Sequence, residues 1–257
     1  MLMKTKYLNV LSKFIGNFFM KDKCVLITGS SSGIGYEITL KLLDLGAKVI
    51  GIARDHDKSK IENKNYITYN CDVSIHKELE ILLKQILKSH PQINSFISNA
   101  GYGEFGPLEN FSTLQIDNFM ATNLTSHLVI TKHLLPHFKR IKMGDIIFIG
   151  SEAGLLGAKN GSLYCAAKFW LRGFSQALIK DLSNKNIRVS IINPGMVRTP
   201  FFENLNFEPG NDEENAINIK DVSSTVAYIL DLSRNTIVDE INLSPLKKVI
   251  KFKWINQ

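Results

Sequence analysis

The chain has 257 residues, 44% of them hydrophobic and 21% charged, enough apolar material for a sizeable core in what reads as one domain. A net charge of +7 raises the question of nucleic acid, but the lysines and arginines are scattered and no helix-turn-helix, zinc-finger or RNA-binding signature accompanies them; the balance suits a polyanionic small molecule instead. No run approaches the ~20 uninterrupted apolar residues of a transmembrane span. The three cysteines, Cys24, Cys71 and Cys165, have neither zinc-site nor disulfide-framework spacing, which fits a reduced, cytoplasmic protein and no bound metal.

Residues 1–19 set Lys4 and Lys6 before Leu8, Val10, Leu11, Phe14, Ile15, Phe18 and Phe19. This basic, amphipathic N-terminal extension reads as an extra helix on the domain, an upstream stretch ahead of a start at Met20, or a membrane-surface segment. From residue 20 to 245, β-branched apolar runs alternate with helical periodicity. Strands are predicted at Cys24–Thr28, Lys48–Ala53, Tyr66–Cys71, Ser95–Asn99, Asp145–Gly150, Arg188–Ile192 and Glu240–Leu243. Helices are predicted at Gly33–Leu45, Ile75–Ser89, Thr113–Leu135, Leu163–Leu182 and Val222–Leu232. Such alternation predicts βα units around a mostly parallel, doubly wound sheet of seven strands with helices on both faces, an α/β Rossmann fold. Pro136 is expected to interrupt the third helix between His133 and His137, and the Glu of a His-Glu-x-x-His motif is missing, which argues against zinc there. The least regular stretch is 201–218, with Phe201, Phe202, Phe207, Pro209, Gly210 and the acidic run Asp212-Glu213-Glu214. Residues 246–257 form a basic tail in which Lys247, Lys248, Lys251 and Lys253 alternate with apolar residues, a second candidate for a membrane surface.

Two motifs carry chemistry. After the first strand the chain reads Thr28-Gly29-Ser30-Ser31-Ser32-Gly33-Ile34-Gly35; strand, glycine turn and helix in that order present backbone N–H groups and a helix N-terminus to an anion, as for a dinucleotide pyrophosphate. The spacing is Gly-x-x-x-Gly-x-Gly, distinct from the general Gly-x-Gly-x-x-Gly. Further on, Tyr164 and Lys168 stand i, i+4 on one predicted helix, where an ammonium beside a phenol favours phenolate and makes a tyrosine usable in acid/base chemistry.

These motifs together resemble the short-chain dehydrogenase/reductase family, over about 21–243. Asn70-Cys71-Asp72-Val73 matches the family stretch that holds adenine. Ser98-Asn99-Ala100-Gly101 is similar to its Asn-Asn-Ala-Gly, with Ser98 for the first Asn. Asn123 occupies the place of the catalytic asparagine, Ser151 lies thirteen residues before Tyr164, and Asn193-Pro194-Gly195-Met196-Val197-Arg198-Thr199 matches the segment that contacts the nicotinamide carboxamide. The resemblance implies a catalytic set Asn123, Ser151, Tyr164 and Lys168. The implied cofactor residues are Gly29, Ser31, Ser32, Gly33, Ile34, Gly35, Arg54, Asp72, Val73, Asn99, Ala100, Gly101, Pro194, Gly195, Val197 and Thr199, together with Tyr164 and Lys168. It further implies a mobile substrate lid at 201–218 and a homodimer or homotetramer.

At the end of the second strand Ala53 replaces the acid that contacts a ribose 2′-OH, and Arg54 follows, which favours NADP(H) over NAD(H), with Asp55 as competitor. Tyr102, Phe105, Leu155, Leu156, Phe201 and Phe202 are candidates for an apolar substrate pocket. The implied activity interconverts a carbonyl and a secondary alcohol on a small molecule. The closest family resemblance is to NADP-dependent 3-hydroxy acid dehydrogenases and carbonyl reductases. A 3-oxoacyl-[acyl-carrier-protein] reductase is the alternative, and a non-catalytic NADP(H)-sensing protein the reading from another class.

Overall fold

The computed structural model describes residues 20–57, 59–182 and 184–253; the N-terminal extension 1–19 and the end of the basic tail, Trp254 included, lie outside these. The run Cys24–Thr28, β1, is buried at every position, a pattern that only a strand covered on both faces satisfies. It is followed by α1 (Gly33–Asp44), β2 (Lys48–Ala53), β3 (Tyr66–Asn70), α2 (His76–Ser89) and β4 (Ser95–Ser98). Then come α3 (Thr113–Met120), α4 (Ser126–Ile141), β5 (Gly144–Ile149), α5 (Ser162–Leu182), β6 (Ile187–Pro194), β7 (Phe207–Pro209), α6 (Ile219–Asp231), β8 (Glu240–Leu243) and β9 (Ile250–Phe252).

Seven strands form one sheet in the order β3-β2-β1-β4-β5-β6-β8, and all six pairings are parallel. The order reverses between β1 and β4, and ligands of such sheets bind outside the strand carboxyl ends at that switch point. The alternation of side chains sorts the core into two layers. Leu26, Ile50, Phe96, Ile146, Phe148 and Val189 pack with Leu83, Leu134 and Leu171 of α2, α4 and α5. Val25, Ile27, Val49, Ile97, Ile147 and Ile192 pack with Leu42 and Val226 of α1 and α6 on the other face. At the amino ends of the strands Asp145, 2% exposed, binds Lys23 at 2.9 Å, Arg188 at 2.7 Å and Arg234 at 2.6 Å.

Two predictions along the third helical region need correction. The expected single helix begins with a capping box between Ser112 and Gln115 but is interrupted by one π turn at Ala121–Thr125. It then runs through Pro136 to Ile141. Pro136 removes the donor to the carbonyl four residues back, at Lys132; both residues are exposed, so water serves that carbonyl while Leu134, His137 and Phe138 stay buried. His137 is held by Ile93 O (2.8 Å) and Arg140 (3.0 Å), and His133 faces Glu80 at 3.2 Å. Among the described residues no group of three or more His, Cys, Asp or Glu could hold a metal.

The lid region is more ordered than its composition predicts. Its short strand β7 pairs antiparallel with β9 from the basic tail. Every tail lysine from 247 to 253 is matched to an acid: Lys247 to Glu214, Lys248 to Glu152, Lys251 and Lys253 to Glu208. The tail cations thus have partners within the fold, in ion pairs whose lysine side chains stay 25–62% exposed. No helix among the described residues is long and apolar enough to cross a membrane.

Candidate active site

At the end of β1 the chain must turn sharply into α1. Gly29 (φ +69°) and Gly33 (φ +55°) take the left-handed conformations this requires. The turn is fixed from the neighbouring strand. Thr28 Oγ1 accepts from the amides of Asn99 and Ala100, each at 3.1 Å, while Asn99 Nδ2 donates to Thr28 O at 3.0 Å and to Gly29 O at 3.3 Å. Sequence reasoning names Asn99 and Ala100 but misses Thr28, whose hydroxyl joins them to the turn. Ser32 caps α1 by position without a side-chain hydrogen bond, so the first-turn amides face the turn that Ser31, Ser32, Gly33, Ile34 and Gly35 build. A Cβ on Gly33 would sit 3.5 Å from Thr199 Cβ, which places the turn beside the Pro194–Thr199 segment. Val197, buried, pairs with Ile217, and Ile34 packs on that cluster.

At the adjoining strand ends Arg54 and Asp55 are exposed. Asp55 Oδ1 accepts from Asp57 N at 2.8 Å, a local turn that occupies the competing carboxylate. Asp72 likewise accepts from the amide and hydroxyl of Ser74 (2.9 and 2.7 Å), and Val73 is core. His56, which belongs to no motif, bridges Ser30 Oγ (2.9 Å) and Asn70 Oδ1 (2.7 Å), linking the glycine turn to β3 next to Arg54.

The four predicted catalytic residues converge from three elements. Ser151 follows β5 and its Oγ accepts from Ala153 N at 3.1 Å. Tyr164, near the start of α5, is 8% exposed, and its phenol interacts with the Ser151 side chain. Lys168 lies one turn later, 5% exposed, with Nζ donating to Ile149 O at 3.1 Å and standing 5.7 Å from the Tyr164 ring centre. Asn123 sits in the π turn, where Oδ1 accepts from Tyr102 N (3.0 Å) and Nδ2 donates to Phe119 O (3.1 Å). A side chain on Gly101 would collide with it, since a Cβ there would stand 2.8 Å from Asn123 Oδ1.

The electrostatics differ from the sequence expectation. Burial pushes the Tyr164 phenol up to about 12, with the Ser151 side chain opposing and Cys165 and Glu152 adding to the rise. The expected lowering by Lys168 does not dominate because that ammonium is drawn to the Ile149 carbonyl and is itself destabilised: burial lowers Lys168 to about 8. Below it His127, fully buried, bonds Ser98 Oγ at 2.5 Å through Nδ1. Burial, reinforced by the Lys168 charge, depresses His127 to about 3, so it is neutral. Ser98, read as a departure from Asn-Asn-Ala-Gly, is thus the partner of a histidine one turn beyond Asn123.

Aromatic rings enclose the phenol. Ring centres of Phe105 and Phe201 lie 5.1 and 5.7 Å from Tyr164, and Phe119 lies at 6.5 Å. Phe207 of β7 meets Phe105 at 4.9 Å, and Phe202 meets Phe201 at 5.1 Å. Tyr102, Phe105 and Phe201 pack in one cluster with Tyr164, and Phe202 lies against Phe201. Leu156 does not join them: the turn after Ser151 directs it outward, 76% exposed. Phe119 and Phe207 are additions that only the tertiary fold reveals. Arg198, the cation nearest in sequence to this wall, spends its guanidinium on the carbonyls of Pro209, Gly210 and Asp212.

A model of the family described as short chain dehydrogenase matches residues 23–209. The chain is 31% identical over 191 residues to 3-oxoacyl-[acyl-carrier-protein] reductase FabG of Buchnera aphidicola subsp. Schizaphis graminum, covering 73% of this chain and 78% of the relative. In structure it is similar to serine dehydrogenase from Escherichia coli (TM-score 0.75, 26% identity, 86% of this chain and 96% of that one). It is similar as well to the closed form of serine dehydrogenase complexed with NADP+ (TM-score 0.75, 25% identity, 86% and 94%). With the glycine turn, the parallel sheet and the Ser151–Tyr164–Lys168 cluster in register, the chain belongs to the short-chain dehydrogenase family of oxidoreductases.

Proposed function

We propose that the protein interconverts a carbonyl and a secondary alcohol using NADP(H), with Tyr164 as the proton-transferring group. The observation that carries this reading is a buried Tyr164 whose phenol meets the Ser151 side chain, with Lys168 buried one turn further on and aromatic rings around them. A dinucleotide suits the adjoining surface: Gly29 and Gly33 keep side chains off the turn, the α1 amides are uncapped by Ser32, and Arg54 stands exposed while Asp55 is engaged elsewhere. In this reading Gly29 and residues 31–35 hold the pyrophosphate and Arg54 the 2′-phosphate. Asp72, Val73, Asn99, Ala100 and Gly101 border the adenosine half, and Pro194, Gly195, Val197 and Thr199 meet the carboxamide. Bound there, the nicotinamide supplies a hydride in reduction and accepts one in oxidation.

The protein's own part is placement and proton transfer. Ser151 donates a hydrogen bond to the substrate oxygen as charge develops on it. Tyr164, held protonated at neutral pH by its burial, gives its proton to that oxygen, which suits the direction of reduction. Lys168, lowered to about 8, exchanges protons near neutrality and restores the phenol. Asn123 spends its amide on tying the π turn to Tyr102 and Phe119, so a water relaying protons to Lys168 is held by the turn's main chain.

The enclosure favours an apolar carbonyl over a hydroxy acid, because rings form the wall and Arg198, three residues before Phe201, is occupied by carbonyls. Likeness to the Buchnera FabG supports the acyl-thioester alternative. The test is NADPH consumption across aldehydes, diketones, 3-oxo acids and 3-oxoacyl thioesters, repeated with NADH and with Tyr164→Phe. Fastest turnover of a neutral apolar carbonyl, lost in the variant, is expected. Tight NADPH binding with no turnover of any compound would favour the sensing role.

A further inference from the structure

The tail reaches the catalytic turn as well as the lid. β9 pairs with β7 through Gly210 N to Val249 O (2.9 Å) and Lys253 N to Asn206 O (2.7 Å), and Lys253 Nζ donates to Phe202 O at 2.5 Å. Upstream of the strand, Lys248 Nζ binds Glu152 Oε2 at 2.6 Å. Glu152 follows Ser151 directly. Its Oε2 also lies 3.1 Å from where a Cβ on Gly195 would stand, and Pro245 Cδ lies at 3.1 Å from the same point. One carboxylate therefore touches three parts: the Ser151 turn, the Gly195 turn and the tail.

On the basis of the reductase reading above, we propose that Lys248 is a positioning residue of the active site, and that the strap 245–253 completes the site by holding Glu152 between the Ser151 and Gly195 turns while β9 holds the lid over Tyr164. A pair this exposed, 57% and 34% at the two side chains, adds little to global stability, so its effect falls on placement. It also falls on charge. The groups facing the phenol are Lys168 and Cys165 of α5, Glu152 and the Ser151 hydroxyl after β5, and the rings of Phe105 and Phe201; Glu104 flanks Phe105, and Glu208 on β7 is answered by Lys251 and Lys253. Glu152 resists ionisation of the phenol, and Lys248 is the cation that offsets it.

The sign follows. Loss of Lys248 leaves Glu152 unscreened, so the phenolate is harder to form; loss of Glu152 does the opposite. The experiment uses the full chain with NADP+ and the secondary alcohol corresponding to the best carbonyl substrate. In Lys248→Gln the acid limb of the kcat/KM profile for oxidation should move up by about half a pH unit, in Glu152→Gln it should move down, and Lys248→Gln should add nothing in the Glu152→Gln background. Hydrogen exchange read without substrate should quicken at residues 151–156 and 195–199 in Lys248→Gln. An unmoved limb, or independent effects of the two substitutions, overturns the proposal while leaving the reductase reading intact. If the wild type turns over no alcohol, the reductase reading fails, and exchange decides alone: unchanged rates at 151–156 and 195–199 overturn the positioning role.

Discussion

Gly35→Ala tests whether the glycine turn is set by contact distance rather than by backbone freedom, since Gly35 is not among the glycines with positive φ. A Cβ at this position would lie 2.9 Å from the Gly29 carbonyl carbon and nearer still to its oxygen and to Asn99 Nδ2. Ordinary heavy-atom contacts begin at about 3.2–3.5 Å, so α1 and the turn must separate by about 1 Å or more. Neither neighbour can yield alone, because Asn99 Nδ2 holds both Thr28 O and Gly29 O. Overpacking of this kind costs about 1–3 kcal/mol. Because the displaced atoms are the ones proposed to face the pyrophosphate, most of the loss should appear in affinity, about 10–100-fold in the NADPH dissociation constant. The assay is NADPH fluorescence titration with thermal unfolding in parallel, against Gly173→Ala, where a Cβ meets nothing within 4 Å and helix propensity should add about 0.5–1 kcal/mol. NADPH affinity unchanged in Gly35→Ala, or equally reduced in both variants, would refute the reasoning.

Asp145→Asn should destabilise the protein by about 3–5 kcal/mol in urea unfolding, because Arg188, 5% exposed, loses its charged partner. Burial raises the Asp145 carboxyl, but the Arg188 hydrogen bond and the charges of Lys23, Arg234 and Arg188 outweigh it and hold the group below the usual range. Its contribution is therefore present above the unfolded carboxylate pKa and lost as pH falls through the folded one, so wild type should approach the variant in acid. Lys168 is lowered from 10.5 to about 8; the unfolded chain binds the extra proton between these values, so stability from this group rises with pH across that window. The wild-type minus Lys168→Met difference in unfolding free energy should follow that rise, and a flat difference would count against burial as its cause. Phe201→Ala removes the ring 5.7 Å from Tyr164 and should raise KM for an apolar carbonyl about tenfold with a smaller change in kcat, measured by steady-state kinetics.

The sheet was legible in the sequence because parallel strands buried on both faces leave unbroken apolar runs, and Cys24–Thr28 and Lys48–Ala53 end where those runs end. The Ser151–Tyr164–Lys168 cluster was legible because Tyr164 and Lys168 share one helix and Ser151 follows the preceding strand. What stayed hidden depends on long-range geometry. The π turn around Asn123 answers to Tyr102 and Phe119, not to local propensity. Lys248 and Glu152 are 96 positions apart, and nothing in the tail's alternating lysines distinguishes partners inside the fold from a charged surface. His127 carried no signal until Ser98 was placed beside it.

The Thr28 hydroxyl has a consequence for anyone wishing to move cofactor preference between proteins. A single oxygen accepts two amides from a segment 71 positions away, and that segment returns the favour through Asn99. The glycine turn is consequently not a portable cassette. A graft of residues 28–35 without Asn99 and Ala100 would carry the letters of a dinucleotide site but leave the clamp behind, and the transplanted loop would take its shape from whatever strand end it found there.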